Sequence, residues 1–481
     1  MLEWALANLV VVGSFFVIGV AGVAVIHALL YKEEVRAAIA WVGLIALVPL
    51  LGSVLYYLIG INRIHRRAVA LRREADSSLL PRRRGGLSFD AVAERVGRTE
   101  AAELAQLIGN ITSWPLYEGN RVRPLVNGDE AYPAMLEAIG RAERSIVLMT
   151  YIFDHDRVGQ RFVDALASAQ TRGVEVRVLI DAVGARYSRP RAHRLLRERG
   201  VHAALFLPTF STRLPSFNLR NHRKVMVVDG KIGFTGGMNI RESFVLEETP
   251  ESPGMDLHFE LEGPVVRHLQ QVFAEDWEFT TLEPLRGEVW FPAIHPAGNA
   301  IARGIADGPD EDLDVLNFTL LGAIASAVHS IRIVTPYFLP DVALTYALNT
   351  AALSGIEVDI VVPEKGNLRL VTWAMFGQIQ QVLGHGCRIW LSPASPFDHT
   401  KLMVVDDYWV LFGSTNWDPR SLRLNFEFNV ECYDREVSKS MQTLIQEKIA
   451  KARRLTSSEL AQRSWPVRLR DGAARLLTPY L

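Results

Sequence analysis

The sequence has 481 residues, a formal net charge of −1 and 49% hydrophobic residues, which is enough chain for a membrane anchor and two modest domains. The near-zero net charge offers no broad basic surface for nucleic acid, so no nucleic-acid partner is expected. The two cysteines, Cys387 and Cys432, are too few for a disulfide framework or a cysteine metal cluster, and reduced thiols are expected.

Two long apolar runs open the chain. Residues 4–31 form a run of 28 without Lys, Arg, Asp or Glu, and residues 37–62 form a second run of 26. Each exceeds the roughly 20 residues that a helix needs to cross a bilayer. A signal peptide would carry basic residues before its apolar run, whereas this chain begins with Met1, Leu2 and Glu3. The sequence therefore predicts a transmembrane hairpin over residues 1–62.

Arginines crowd the segment that follows the second run. Eight lie between residues 63 and 84, against two acidic residues, Glu74 and Asp76. The positive-inside bias predicts a multi-pass protein of the cell inner (plasma) membrane, with its N-terminus and its C-terminal bulk in the cytoplasm. The arginines act either as a topology signal in a solvated linker or as a contact for anionic head groups. Residues 63–115 are interpreted as a basic juxtamembrane linker with a helix near residues 89–107.

From residue 116 onward, helices and strands alternate in an order that occurs twice. Apolar periodicity predicts helix, strand, helix and strand over residues 129–142, 145–153, 158–173 and 174–181, and again over 321–330, 331–337, 342–355 and 356–363. The repeated order indicates an internal duplication. We therefore predict an α/β fold with two pseudo-symmetric sandwich halves, residues 116–295 and 296–481.

Each half carries one copy of the motif H-x-K-x4-D-x6-G-[GS]-x-N. An apolar run of four residues follows each lysine, at 225–228 and 402–405, and predicts a strand that ends in a turn. Since residues i and i+2 of a strand share a face, each histidine should project with its lysine into one cavity. The motif residues are His222, Lys224, Asp229 and Asn239 in the first half, and His399, Lys401, Asp406 and Asn416 in the second.

A pair of such motifs suits the chemistry of a phosphodiester. The lysines and asparagine amides can hold non-bridging oxygens, one imidazole can attack phosphorus, and the other can protonate the leaving group. The copies are equivalent, so the motif alone does not order the two histidines. Asp229 and Asp406 complete the predicted catalytic set as turn-forming groups that position the lysines. No neighbouring residues resemble a magnesium or zinc site, so neither a metal nor a cofactor is expected.

The duplicated motif resembles that of the phospholipase D superfamily, and further segments are similar to the bacterial cardiolipin synthase family over nearly the whole chain. The resemblance implies two phospholipase D-like halves that share one active site. It also implies phosphatidyl transfer between two phosphatidylglycerols through a phosphohistidine, giving cardiolipin and glycerol, with anionic phospholipids and the membrane as partners. One departure is Gly366-Asn367, where family members often carry Ser-Asp. The similar segments are 36–41, 118–120, 127–129, 151–153, 276–277, 335–338, 413–421 and 478–481.

The resemblance also implies separate roles for the two histidines. His222 would be the nucleophile, and His399 would be the acid and then the base that activates the incoming alcohol. A downstream carboxylate should orient each ring by fixing its tautomer. Glu427, 28 residues after His399, is expected to orient that ring, and Asp256 is the counterpart expected for His222.

Two other functions stay open at this point. The same phosphohistidine chemistry with water as acceptor would make a phosphodiesterase, although membrane anchoring disfavours a nuclease. A catalytically silent lipid-binding protein is the second alternative, and the intact histidines and lysines argue against it. The tail over residues 465–481 either rests on the membrane or docks on the domain. The sequence does not specify an oligomeric state.

Overall fold

The computed structural model describes residues 2–32, 35–60, 86–207, 219–308 and 314–478. The chain divides into two compact units, residues 1–70 and 71–481. Residues 63–85 of the linker predicted over residues 63–115 lie outside the described residues. Cys387 and Cys432 are both free and buried.

The first unit is a small helical assembly. Helix α1 packs against the two helices that follow it, and Ala28, Ile45 and Tyr56 are buried at the contact. His27 Nδ1 lies 2.8 Å from the Tyr56 hydroxyl and adds a polar link between the elements. The elements of this unit are α1 (Leu2–Tyr31), α2 (Val35–Leu47), α3 (Pro49–Leu55) and a π-helical turn (Tyr56–Gly60).

The second apolar run is not one continuous helix. It breaks at Val48, whose φ of −136° and ψ of 78° are non-helical, because a residue before proline is disfavoured in the helical region. Among the described residues, one helical segment, Val11–Tyr31, is long and apolar enough to cross a membrane. The first predicted span is thus matched by a helix, and the second crossing stays a prediction.

The second unit is built on one mixed sheet that runs through both halves. In each half a core of parallel strands is extended by antiparallel strands, and the halves join where β1 pairs with β10, Tyr117 opposite Ala302. The strands follow the order β18-β13-β12-β11-β15-β16-β17-β10-β1-β9-β7-β6-β2-β3-β4, with β5 paired to β17 and a separate β8–β14 pair. The strands are β1 (Tyr117–Val126), β2 (Ser145–Thr150), β3 (Glu175–Asp181), β4 (His202–Phe206), β5 (Arg220–Asn221), β6 (Val225–Val228), β7 (Ile232–Gly236), β8 (Gly254–Met255), β9 (Leu257–Glu262), β10 (Ala300–Asp307), β11 (Ser330–Val334), β12 (Glu357–Pro363), β13 (Arg388–Ser392), β14 (Phe397–Asp398), β15 (Leu402–Val405), β16 (Trp409–Gly413), β17 (Asn425–Tyr433) and β18 (Arg453–Leu455).

Helices cover the sheet and bury a separate apolar cluster in each half. This arrangement confirms the predicted α/β class. The boundary between the halves near residue 295 stays a prediction. The helices of this unit are α4 (Phe89–Val96), α5 (Thr99–Ile111), α6 (Asn127–Arg141), α7 (Arg157–Thr171), α8 (Ala192–Glu198), α9 (Val266–Thr281), α10 (Val315–Ala325), α11 (Val342–Leu353), α12 (Arg369–Gln378), α13 (Gln380–Leu383), α14 (Pro419–Arg423), α15 (Arg435–Lys451), α16 (Ser457–Ala461) and α17 (Trp465–Leu476).

Most predicted elements lie within a few residues of the observed ones, with two exceptions. The helix predicted over 321–330 is wrong in its bounds, because α10 ends at Ala325 and β11 begins at Ser330. Helix α10 contains no charged residue, so its sequence carries no amphipathic period that marks its ends. The single helix predicted near 89–107 is two helices, separated where Gly97 adopts a left-handed φ of 74° at the C-terminal cap.

Candidate active site

A cavity of about 580 Å³ is lined by residues of both halves. It lies next to the carboxyl ends of β2 and β11, where Tyr151 and Tyr337 contribute to its wall. Ligand sites of open α/β sheets favour this edge. The motif residues that line the cavity are His222, Asn239, His399 and Asn416.

His222 is held against a strand of the opposite half. Strand β5 pairs in parallel with the start of β17, which places Asn221 opposite Phe426. The backbone N–H of His222 continues this ladder and donates to the Phe426 carbonyl oxygen at 2.9 Å. The next residue of β17 is Glu427, and both of its carboxylate oxygens lie 3.0 Å from His222 Nδ1.

His399 is held in the same way by the first half. Strand β14 pairs in parallel with β8, so that Asp398 faces Met255. The backbone N–H of His399 donates to the Met255 carbonyl oxygen at 2.8 Å. Asp256 follows directly, and its Oδ2 lies 2.7 Å from His399 Nδ1.

The histidine-carboxylate pairs are therefore crossed between the halves. The sequence-based pairing of Asp256 with His222 and of Glu427 with His399 is wrong. Each histidine directly follows a short strand that pairs with the opposite half. Glu427 lies within the partner strand β17, and Asp256 directly follows the partner strand β8. Both carboxyl side chains are inaccessible to solvent, while each histidine side chain keeps 12% exposure towards the cavity.

The two carboxylates differ in their hydrogen bonds. Glu427 accepts a bond from the Ser414 hydroxyl and another from Asn425 Nδ2 at 3.0 Å, in addition to its contact with His222. Asp256 accepts the backbone N–H of Leu257 at 2.8 Å. The residue equivalent to Ser414 in the first half is Gly237, which has no hydroxyl to offer.

The two carboxyl groups also differ in acidity. Burial alone would raise the pKa of Glu427, but His222, Lys224 and the Ser414 hydroxyl outweigh it and hold that pKa below the ordinary value. For Asp256 burial prevails over the attraction of Lys401 and raises the pKa to about 6. Glu427 is consequently the more firmly anionic partner.

The two motif lysines lie behind the histidines. Lys224 Nζ donates to the backbone oxygen of His222 at 2.5 Å, and Lys401 makes the equivalent bond to His399 and approaches its Nδ1 at 2.9 Å. Burial lowers the pKa of Lys224 to about 7 and that of Lys401 to about 8, and for Lys224 the charge of Lys401 adds to this effect. Burial and both ammonium groups also hold the pKa of His399 well below its ordinary value. An anion in the cavity would relieve this repulsion.

The motif asparagines are placed differently in the two halves. Asn239 Oδ1 accepts the backbone N–H of Ile152 at 3.0 Å, an arrangement that leaves the amide nitrogen as the donor for a ligand. Asn416 Nδ2 instead donates to the Ser421 hydroxyl at 3.2 Å. Both side chains line the cavity, but only the Asn239 amide has its orientation fixed through its oxygen.

The motif aspartates do not belong to the site. Asp406 accepts backbone N–H bonds from Val328, His329 and Ser330 at 2.7–2.9 Å, and Asp229 makes the equivalent bonds in the first half. Each follows a four-residue strand that begins next to the motif lysine, so roughly 13–17 Å of extended chain separates aspartate and lysine. The expected catalytic, lysine-positioning role of Asp229 and Asp406 is therefore wrong, and these carboxylates fix the starts of β2 and β11.

We expect Asp406→Ala to lower the free energy of unfolding by about 2–4 kcal/mol, because three backbone amides, one of them buried, lose a charged acceptor. The kcat/KM per folded molecule should stay within about threefold of the wild-type value. Urea unfolding of the detergent-solubilised full chain, followed by fluorescence, measures the first quantity. The neighbouring Asp407→Ala is the matched control, since Asp407 makes a half-exposed ion pair with Arg98 that is worth about 1 kcal/mol or less. A large loss of activity in folded Asp406→Ala protein would contradict the structural role.

Charged residues outside the motifs anchor the backbone on both sides of each histidine. Asp276 of α9 accepts bonds from Asn221 Nδ2 and from Arg223 at 2.8 Å, on either side of His222. In the second half the anchoring group is a cation and not a carboxylate. Lys448 of α15 donates to Asp398 at 2.7 Å and to Thr400 at 3.3 Å, the two neighbours of His399. In the sequence, Asp276 stands out only as part of a segment similar to the family, and nothing in the local pattern marks Lys448.

Sequence and structure comparisons agree with this architecture. The sequence model described as "Cardiolipin synthase, PLD-like domain" matches residues 135–277 and 320–449, and that described as "Phospholipase_D-nuclease N-terminal" matches residues 19–60. The major cardiolipin synthase ClsA of Bacillus subtilis (strain 168) is 31% identical and aligns with 98% of this chain and 99% of its own length. The cardiolipin synthase of Geobacillus sp. (strain WCH70) is 32% identical, over 92% of this chain and 88% of its own. A phosphatidylserine synthase from Haemophilus influenzae Rd KW20 has a similar fold, with a TM-score of 0.61 at 17% identity, over 79% of this chain and 100% of that one.

Proposed function

The chain belongs to the cardiolipin synthase family with phospholipase D-like domains, and we propose that it joins two phosphatidylglycerols into cardiolipin and releases glycerol. One observation carries the chemistry: two histidines from duplicated motifs line one cavity, each bonded through Nδ1 to a buried carboxylate of the opposite half. This arrangement leaves Nε2 of each ring for the substrate. Two such rings can divide nucleophilic attack and proton transfer between them.

In the first step His222 Nε2 attacks the phosphorus of one phosphatidylglycerol. A bond forms between nitrogen and phosphorus, and the bond from phosphorus to the glycerol head group breaks. His399 gives its proton to the departing glycerol oxygen. We assign the attack to His222 because Glu427 is the more firmly anionic carboxylate and best stabilises the positive charge that develops on the attacking ring.

In the second step His399 takes a proton from a hydroxyl of the second phosphatidylglycerol. That oxygen attacks the phosphorus held on His222, and the nitrogen–phosphorus bond breaks. Cardiolipin leaves with His222 free and His399 protonated for the next cycle. The two steps consume two phosphatidylglycerols and yield one cardiolipin and one glycerol.

The lysines and Asn239 supply the positive charge and hydrogen bonds for the phosphate. Burial lowers the pKa values of Lys224 and Lys401 to about 7 and about 8, and the charge of Lys401 contributes to the shift of Lys224. A bound phosphodiester anion favours their protonated forms and raises both pKa values. Anion binding would thereby assemble the cationic site at the moment of reaction.

We also propose that the N-terminal unit anchors the protein in the membrane by two spans, with the catalytic unit in the cytoplasm. Helix α1 has the length and composition of one span. The eight arginines between residues 63 and 84 support the cytoplasmic placement of the chain that follows them. Such an anchor keeps the active site near lipid and accounts for a lipid rather than a nucleic-acid substrate.

We expect the purified full-length protein to convert labelled phosphatidylglycerol into cardiolipin and glycerol in detergent micelles containing EDTA. Thin-layer chromatography separates cardiolipin from phosphatidic acid, and glycerol is measured in the aqueous phase. Phosphatidic acid as the sole lipid product would identify a hydrolase instead. Absence of any product from any phospholipid donor would favour the silent lipid-binding alternative.

A further inference from the structure

Helix α17 presents two opposite faces. Asp471 and Ala474 are 2% and 3% exposed, and the helix packs against α12. Trp465, Leu469 and Leu476 are 73%, 63% and 76% exposed. Because each helical residue turns by about 100°, these three side chains fall within an arc of about 40°, opposite the buried face. We call these three residues the apolar stripe.

The stripe belongs to a firmly docked helix. Asp471 forms ion pairs of 2.7 Å with both Arg463 and Arg470. Arg470 also lies 4.6 Å above the ring of Trp373 in α12. At Gly377 of α12 the two backbones approach so closely that a Cβ atom would lie 2.6 Å from the Asp471 carbonyl oxygen. The apolar stripe is therefore exposed although the helix that carries it is fixed.

Arginines flank the apolar stripe on one side. Arg468 and Arg475 are exposed and lie roughly 60–80° around the helix from Trp465. A docked helix with an outward apolar stripe and adjacent arginines has the composition of helices that lie in the head-group region of a bilayer. The charges complement an anionic lipid, which is also the substrate class proposed above.

The apolar stripe lies on a helix packed beside the catalytic cavity. Val371 of α12 and Leu368, the residue before that helix, both line the cavity. Leu368 is 49% exposed and extends the apolar surface at this margin. Helix α12 separates α17 from the cavity, so a lipid surface in contact with α17 would lie about one helix diameter, roughly 10 Å, from the cavity margin.

We propose that α17 lies flat in the head-group region of an anionic bilayer and holds the cavity mouth over the lipid surface. This inference rests on the proposed function for the identity of the lipid. It adds a membrane contact in the catalytic unit that is separate from the N-terminal anchor. The contact would let a phosphatidylglycerol head group reach the histidines while its acyl chains remain in the bilayer.

A labelled cysteine tests the location of α17 without relying on activity. The native Cys387 and Cys432 are buried, so Leu469→Cys in the folded full-length protein can be labelled selectively with an environment-sensitive dye. In phosphatidylglycerol vesicles the dye emission should shift to the blue, whereas the same dye at Leu353→Cys, a site 71% exposed on α11, should not shift. An emission spectrum at position 469 that stays typical of water in the presence of vesicles would overturn the proposal. A blue shift that depends on protein concentration and occurs without vesicles would also overturn it, because it would indicate that a second copy of the chain covers the apolar stripe.

Activity provides the second readout. In a triple variant, Trp465, Leu469 and Leu476 are changed to glutamate. Its turnover of long-chain phosphatidylglycerol in vesicles should fall by at least about tenfold. Its turnover of a short-chain soluble analogue should stay within about twofold of the wild-type value. Equal vesicle turnover in this variant and in a control of the same charge would overturn the proposal. Wild-type protein inactive on both lipids would instead refute the proposed function, and the dye measurement would still decide the position of α17. The control variant carries glutamate at Leu282, Tyr346 and Leu353, which are 83%, 68% and 71% exposed.

Discussion

His399→Ala protein is expected to form cardiolipin about 10³-fold more slowly than wild type, yet to release one equivalent of nitrophenol from phosphatidyl-p-nitrophenol. Nitrophenol leaves without a proton, so loss of the acid does not block the first step. The reaction should then stop, because no base remains to activate the acceptor alcohol. Rapid-mixing absorbance measures the burst, and peptide mass spectrometry locates the phosphatidyl group, which we expect on His222.

The matched variant is His222→Ala, which should lose cardiolipin formation to a similar degree and show no burst. Both rings have the same burial and the same kind of carboxylate partner, so a general loss of packing should affect the two variants alike. A burst in His222→Ala protein with the label on His399 would reverse the assigned roles. Near-normal turnover in either variant would exclude the mechanism with two histidines.

The crossed pairing makes a prediction for two further substitutions in the His399→Ala protein. Glu427→Gln should slow the nitrophenol burst by about 10²-fold or more, whereas Asp256→Asn should leave the burst rate within about twofold. Glu427 still orients the attacking His222 in that background, so its loss affects the tautomer and charge of the nucleophile. Asp256 has lost its partner ring, 2.7 Å away in the intact site, and no longer influences the first step. The burst rate is read from nitrophenol release in single-turnover mixing.

The same two substitutions in the otherwise wild-type chain serve as the control. Both should slow repeated turnover there, since each removes the partner of a histidine that works in every cycle. Pairing within each half would predict the opposite result in the His399→Ala background, with Asp256→Asn slowing the burst and Glu427→Gln leaving it unchanged. That outcome would refute the crossed arrangement.

Local patterns in the sequence predicted much of the fold. The strands after the motifs, residues 225–228 and 402–405, were predicted at their observed bounds because each is a short apolar run between a lysine and a turn. The helix bounds at 315–325 could not be predicted in the same way, because an apolar helix without charges gives no periodic contrast. Pro49 indicates the break at Val48, but the overall hydrophobicity of residues 37–62 favours one continuous span.

Local spacing in the sequence predicts part of the candidate site, and long-range strand pairing decides the rest. The sequence by itself determined the two His-Lys motifs and their suitability for a phosphodiester, since residue type and spacing are fixed along the chain. Only the tertiary structure decided which carboxylate serves which histidine, because the partners are 205 and 143 residues apart and meet through β5–β17 and β8–β14. It also removed Asp229 and Asp406 from the site, since their carboxylates bind backbone amides at the opposite ends of the strands. A pattern within one half cannot report a strand that pairs with the other half.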